Sequence, residues 1–76
     1  RIDFSVPRQS RVRISVFDIR GRHVVTLIDR EFRTGSYHTV WNGRNRQGIE
    51  VASGIYFCRM KGGNSFLRSR KMVLLR

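Results

Sequence analysis

The sequence predicts an all-β chain, an antiparallel β-sandwich of roughly six or seven short strands. Three observations predict it. Apolar and polar residues alternate in several separate runs, most cleanly at Val12, Ile14 and Val16 between Arg11, Arg13 and Ser15, the pattern of a half-buried strand. Turn-forming clusters punctuate these runs about every 8–12 residues. No stretch sustains the 3.6-residue period of an amphipathic helix.

The elements follow in order. Ile2, Phe4 and Val6 alternate with Asp3 and Ser5, and Pro7 ends this first strand by removing a backbone donor. After the polar link Arg8-Gln9-Ser10 comes the Val12–Val16 strand. Asp18-Ile19-Arg20-Gly21 reads as a hairpin turn, with Asp at the first position and Gly at the fourth. The return strand runs from His23 to Ile28, with apolar doublets at Val24-Val25 and Leu27-Ile28 that leave its buried face ambiguous. Residues 29–33 read as a charged connection, with Phe32 tucked beneath it.

The stretch from Thr34 to Tyr56 is the richest in signals, holding the only Trp and four of the seven glycines. Tyr37, Thr39 and Trp41 share one face of an extended strand. Asn42-Gly43 is a strong tight-turn dipeptide, because both residues tolerate positive φ. Gly48 closes a second polar reversal. Past Ser53-Gly54, Ile55 to Met60 is a further aromatic and β-branched strand. Gly62-Gly63-Asn64 is expected to turn the chain into a last strand, Ser65 to Arg76. There parity conflicts: Met72 and Leu74 facing inward would carry Arg68 and Arg70 inward too. Burying two unpaired guanidinium groups is costly, so a β-bulge or break near 69–71 is expected. The expected core is Val12, Ile14, Val16, Tyr37, Tyr56 and Trp41, the last as a plug between two sheets.

A chain of 76 residues makes one small domain that buries only about 60–65% of its unfolded surface. The single Cys58 excludes an internal disulfide and reads as a small buried hydrophobe. No apolar run approaches the roughly 20 residues of a membrane span. The chain opens at Arg1 inside an apparent strand, which is the expectation for a domain of a longer protein. Sixteen basic residues, fourteen of them Arg, stand against five acidic ones, a formal charge of +11. They are dispersed, recurring as i, i+2 pairs such as Arg11/Arg13, Arg59/Lys61 and Arg68/Arg70. Dispersal favours a solvated sheet face over a nucleic-acid site, although Arg59, Lys61, Arg68 and Arg70 on one sheet offer an alternative surface for nucleic acid or acidic polysaccharide.

Catalytic patterns are missing from the sequence. Ser53-Gly54 lacks the Gly-x-Ser-x-Gly context of a nucleophile elbow. Asp18 has no second carboxylate near it in sequence and is accounted for by its turn. His23, His38 and Cys58 show no zinc-ligand spacing. The expectation is therefore a protein that is not an enzyme and holds no metal or cofactor.

Five blocks in order carry a family resemblance: Ile2-x-Phe4-x-Val6-Pro7; Val12-x-Ile14-x-Val16-Phe17-Asp18-Ile19-x-Gly21-Arg22-x-Val24; Gly35-x-Tyr37-x-x-x-Trp41-Asn42-Gly43; Gly48-x-x-Val51-x-Ser53-Gly54-Ile55-Tyr56-Phe57; and Lys71-Met72-Val73-Leu74-Leu75-Arg76. Together they resemble the immunoglobulin-like (fibronectin III-like) module at the C-terminus of many large bacterial secreted proteins. Its two forms are the type IX secretion C-terminal sorting domain and the related domain of the flagellar hook-capping protein. The resemblance spans nearly the whole chain and implies about seven short strands. It implies a non-catalytic sorting and surface-attachment domain behind an N-terminal passenger. Such a domain passes through the periplasm, is recognised by outer-membrane export machinery and brings its passenger to the cell surface, where surface polysaccharide is a further implied partner. The signal it implies lies in Gly54, Tyr56 and the run Lys71, Met72, Val73, Leu74, Leu75 and Arg76, where Arg replaces the family's final Lys. The related alternative is a structural module of a hook cap or another surface assembly. The family's long turn is usually acidic, of the type Trp-Asp-Gly-x-Asp. Trp41-Asn42-Gly43-Arg44-Asn45-Arg46 lacks those carboxylates, which a calcium site would need.

Overall fold

The computed structural model describes residues 1–63 and 66–75. Among these residues there are six strands and no helix: β1 (Ile2–Val6), β2 (Ser10–Asp18), β3 (His23–Phe32), β4 (Gly35–Thr39), β5 (Gly54–Gly62) and β6 (Phe66–Leu74). They form two antiparallel sheets packed face to face, one of order β1-β4 and one of order β3-β2-β5-β6. No seventh strand is present among the described residues.

The alternating runs explain the packing. Val12, Ile14 and Val16 of β2 are wholly inaccessible to solvent, since β2 lies between β3 and β5 and its apolar face is covered by the second sheet at Val12 and Ile14 and by a long connection at Val16. One end of the core is sheet on sheet: Ile2, Phe4 and Val6 of β1 pack with Val12, Ile14, Phe32, Cys58 and Met60. Phe4, Phe32 and Tyr37 form a cluster of mutually contacting rings there.

The other end is built differently. At about 3.3 Å per residue, the five residues of β1 reach only about half the length of the nine-residue β5. The long connection 40–53 covers the remainder. Its Trp41 and Val51 pack on Val16, Val24 and Tyr56, joined by Met72 and Leu74. Trp41 thus lies beyond the end of β4 and is half-buried. It seals one end of the core instead of filling the space between the sheets.

Three further expectations are corrected. Residues 29–32 continue β3 in register with β2, Asp29 opposite Arg13 and Glu31 opposite Arg11. The charged residues stay in the strand because cross-strand partners of opposite sign await them. The β5–β6 register is uninterrupted from Gly54↔Leu74 to Gly62↔Phe66, so no bulge interrupts residues 69–71. Register shifts fall instead in the β2–β3 pair, where Leu27 and Val24 have no partner in β2. Each shift coincides with an apolar doublet, and each turns an extra side chain toward the core. Asn42 does not take positive φ; Gly43 does, at +75°, while the Asn42 side chain accepts a hydrogen bond from the Arg44 N–H at 3.1 Å.

The remaining turns follow from local chemistry. At Asp18–Gly21, the Gly21 N–H donates to the Asp18 carbonyl at 2.9 Å, and Gly21 has φ +81°, which glycine adopts without steric cost. The Asp18 carboxylate accepts from the Arg20 and Arg22 N–H groups, each at 2.9 Å. Asn45 organises the second reversal, its side-chain oxygen accepting from the Gln47 and Ile49 N–H groups on either side of Gly48. Gly62 ends β5 and Gly63 follows at φ +52°. Asn64, Ser65 and Arg76, to which turn, strand and signal roles were assigned from sequence, lie outside the described residues.

Candidate recognition surface on the last strand

β6 lies at the edge of the four-stranded sheet and pairs with β5 alone. Its alternation divides the last segment into two faces. Met72 and Leu74 point inward, half-buried, and pack against the core. Lys71 and Val73 point outward and are exposed, as is Leu75 just beyond the strand. Gly54 opens β5 opposite Leu74, and Tyr56 stands opposite Met72. The Tyr56 ring is buried, and its hydroxyl donates to the Ala52 carbonyl at 2.6 Å. The last hairpin therefore offers one edge strand and not two, because β5 is paired on both sides with β2 and β6.

Arg68 and Arg70 share the inward parity of Met72, with Arg68 opposite Met60 and Arg70 opposite Cys58. Both are nonetheless exposed. The two-stranded sheet is too narrow to cover β6 at this end, so the guanidinium groups stay solvated without a bulge. Arg59 and Lys61 are on the other face, opposite Ser69 and Leu67. The four cations do share one sheet, as expected, but Arg59 and Lys61 lie on one side of it and Arg68 and Arg70 on the other.

The outer face carries a strip that sequence reasoning passed over. Phe17 stands opposite Phe57, and Ile55 opposite Val73. Ile55, Phe57 and Val73 are exposed at 38%, 36% and 61%, values that mark a connected apolar strip on an open sheet face. Lys71 lies opposite Phe57, and the Arg59 guanidinium sits 4.8 Å from the centre of the Phe17 ring, within cation–π range. The signal was present in the parity of Phe17 with Arg11 and Arg13, but the pairing of β2 with β5 was needed to bring Phe17 and Phe57 together.

Elsewhere on this face, Arg11 and Arg13 are matched to a carboxylate. Asp29 accepts from Arg11 Nε at 2.8 Å and lies 3.4 Å from Arg13. The hydrogen bond from Arg11 is the main reason that the Asp29 carboxyl is held below the usual aspartate value. His23 is committed to Thr26 at 2.8 Å and to the edge of the Phe17 ring, whereas His38 belongs to the other sheet, opposite Asp3. Among the described residues, no three His, Cys, Asp or Glu side chains come together as a metal-binding group. No family model, curated protein or solved structure matches the chain.

Proposed function

We propose that this chain is a non-catalytic, immunoglobulin-like sorting and surface-attachment module of a bacterial secreted protein, carried C-terminal to its passenger. The five ordered sequence blocks support the reading, and one structural observation carries it. The run that resembles the family's signal, Lys71 to Leu75, belongs to an open edge strand and its exit, with Lys71, Val73 and Leu75 exposed. An edge strand recruits a partner through its unpaired backbone groups, and alternate side chains then select among partners. On this reading the partner is the outer-membrane export machinery, met on the periplasmic side. Arg76 completes the signal as the terminal cation.

The test is a fusion of the chain behind a periplasmic reporter enzyme in a bacterium with a type IX export system. The unmodified fusion should reach the cell surface, whereas Lys71→Gln/Arg76→Gln should fold and leave the reporter in the periplasm. Failure of the unmodified fusion to leave the periplasm would refute the reading.

A second reading, a structural module of a hook cap or similar surface assembly, draws on the exposed Phe57, Ile55 and Val73 strip, which would be covered by a neighbouring subunit. Under it, Phe57→Asp should abolish assembly while the isolated chain remains folded.

A further inference from the structure

The mismatch in sheet width leaves a groove beside the core. It runs between β1 and the inward face of β5 and β6, with Cys58 and Met60 along its floor and Arg68 and Arg70 along one wall. Four consecutive residues of β1, Ile2 to Ser5, line the other side. Successive side chains of a strand point to opposite faces, so a strand that lines a groove with both parities meets it with its edge. β1 pairs only with β4, and its groove-side edge therefore has no strand partner among the described residues. At about 1170 Å³ the groove exceeds the roughly 300–1,000 Å³ of an ordinary small-molecule pocket and suits an extended chain.

Its charge is one-sided. Arg8, Arg68 and Arg70 all line it, and none has a carboxylate within ion-pair distance among the described residues. The one acidic lining residue, Asp3, is already engaged by Arg1 at 3.1 Å. Arg11, Arg13 and Arg22 elsewhere on the molecule each face a carboxylate; other arginines, Arg59 among them, face none among the described residues, and the groove differs from these in gathering three such guanidinium groups beside an apolar floor. The groove thus combines an open backbone edge, an apolar floor and unmatched guanidinium groups that are built for planar carboxylates.

We propose that this groove binds an extended acidic peptide, which adds as a third strand to the β1–β4 sheet and presents inward Glu or Asp side chains to Arg68 and Arg70. Backbone pairing with β1 sets the peptide's direction and register, and the two arginines, two residues apart on one face, read carboxylates at the same spacing. A polysaccharide would satisfy the cations but would leave the β1 edge and the floor unused. The site is separate from the outer edge and outer face of β6 invoked for sorting, and either can fail without the other.

The test is binding of a short, end-capped, fluorescein-labelled peptide of alternating Glu and Thr, followed by anisotropy. The peptide should bind the unmodified chain, and a Lys–Thr peptide should not. Replacing alternate Thr residues by Pro, which removes backbone donors while keeping the charge, should weaken binding by about tenfold or more. Arg68→Gln/Arg70→Gln should cost a similar factor. Arg59→Gln/Lys61→Gln, which removes the same charge from the opposite face, should leave affinity within about twofold, as expected for distant rim charges. Equal loss in the two double variants, or undiminished binding of the Pro peptide, would reduce the interaction to unspecific charge attraction and overturn the proposal. So would heparin binding that is lost only in Arg68→Gln/Arg70→Gln, because the ligand class would then be polysaccharide. Absence of Glu–Thr binding to the unmodified chain overturns it outright.

Discussion

Trp41 and Tyr56 meet edge to face, with ring centres 5.0 Å apart and planes at 66°, and each ring also anchors the connection that covers its end of the core. The Trp41 indole N–H donates to the Arg44 carbonyl at 3.0 Å, and the Tyr56 hydroxyl donates to the Ala52 carbonyl. Through this pair the polar segment 42–53 is fastened to β5. Because Trp41 is only half-buried, Trp41→Ala should destabilise by about 2–3 kcal/mol, less than the roughly 3–5 kcal/mol of a fully buried aromatic. Tyr56→Phe should cost about 1 kcal/mol for the lost hydrogen bond. Denaturant unfolding of both variants checks the pair, and a Trp41→Ala loss under about 1 kcal/mol would mean that the indole does not seal the core.

Acid should weaken the fold through two aspartates. The Arg22 backbone N–H is the chief cause that holds the Asp18 carboxyl below its usual value, with the Arg20 N–H and the Arg22 guanidinium adding to it against a partial opposing desolvation. For Asp29 the chief cause is the hydrogen bond from Arg11. A carboxylate with a lowered folded-state pKa contributes stability above its unfolded value, and that contribution is lost as pH falls through the folded one. Melting temperature should therefore hold steady down to about pH 4, the ordinary aspartate range, and decline below it. Asp18→Asn/Asp29→Asn should flatten that decline, measured as melting temperature against pH.

The thiol of Cys58 should be sluggish. Burial pushes its pKa up, and nearby Arg70 pulls it partly back. Since the thiolate is the reactive form, iodoacetamide should modify native Cys58 far more slowly than the unfolded chain at neutral pH. Arg70→Gln should slow it further by removing the opposing charge. Native labelling as fast as that of a free thiol would contradict the packing of β5 against β1.

The two faces of β6 should respond oppositely to substitution. Met72 packs against both core clusters, so Met72→Asp should destabilise by about 2–4 kcal/mol through lost packing and a desolvated charge. Lys71 is exposed, and Lys71→Gln should stay within about 0.5 kcal/mol of the unmodified chain. Thermal melts of both variants provide the comparison, with comparable losses reversing the face assignment of the strand.

Sequence by itself determined the local elements. The alternation at Ile2 to Val6 and Val12 to Val16, the Asp18–Gly21 turn, the reversal before Gly48 and the all-β class follow from side-chain period and turn chemistry, which act over a few residues. Tertiary structure decided what those elements face. The doublets Val24-Val25 and Leu27-Ile28 were ambiguous alone, because only pairing with β2 shows where the extra residues are accommodated. Charged residues 29–31 looked like a loop because Arg11 and Arg13, their partners in β2, are distant in sequence. The inward parity of Arg68 and Arg70 was legible, but the inference of a bulge assumed that inward means buried. A two-stranded sheet facing a four-stranded one leaves part of the inner face open to water, and that difference in width is a property of long-range pairing, not of any local stretch. The same width difference forms the groove beside β1, which no sequence motif announces.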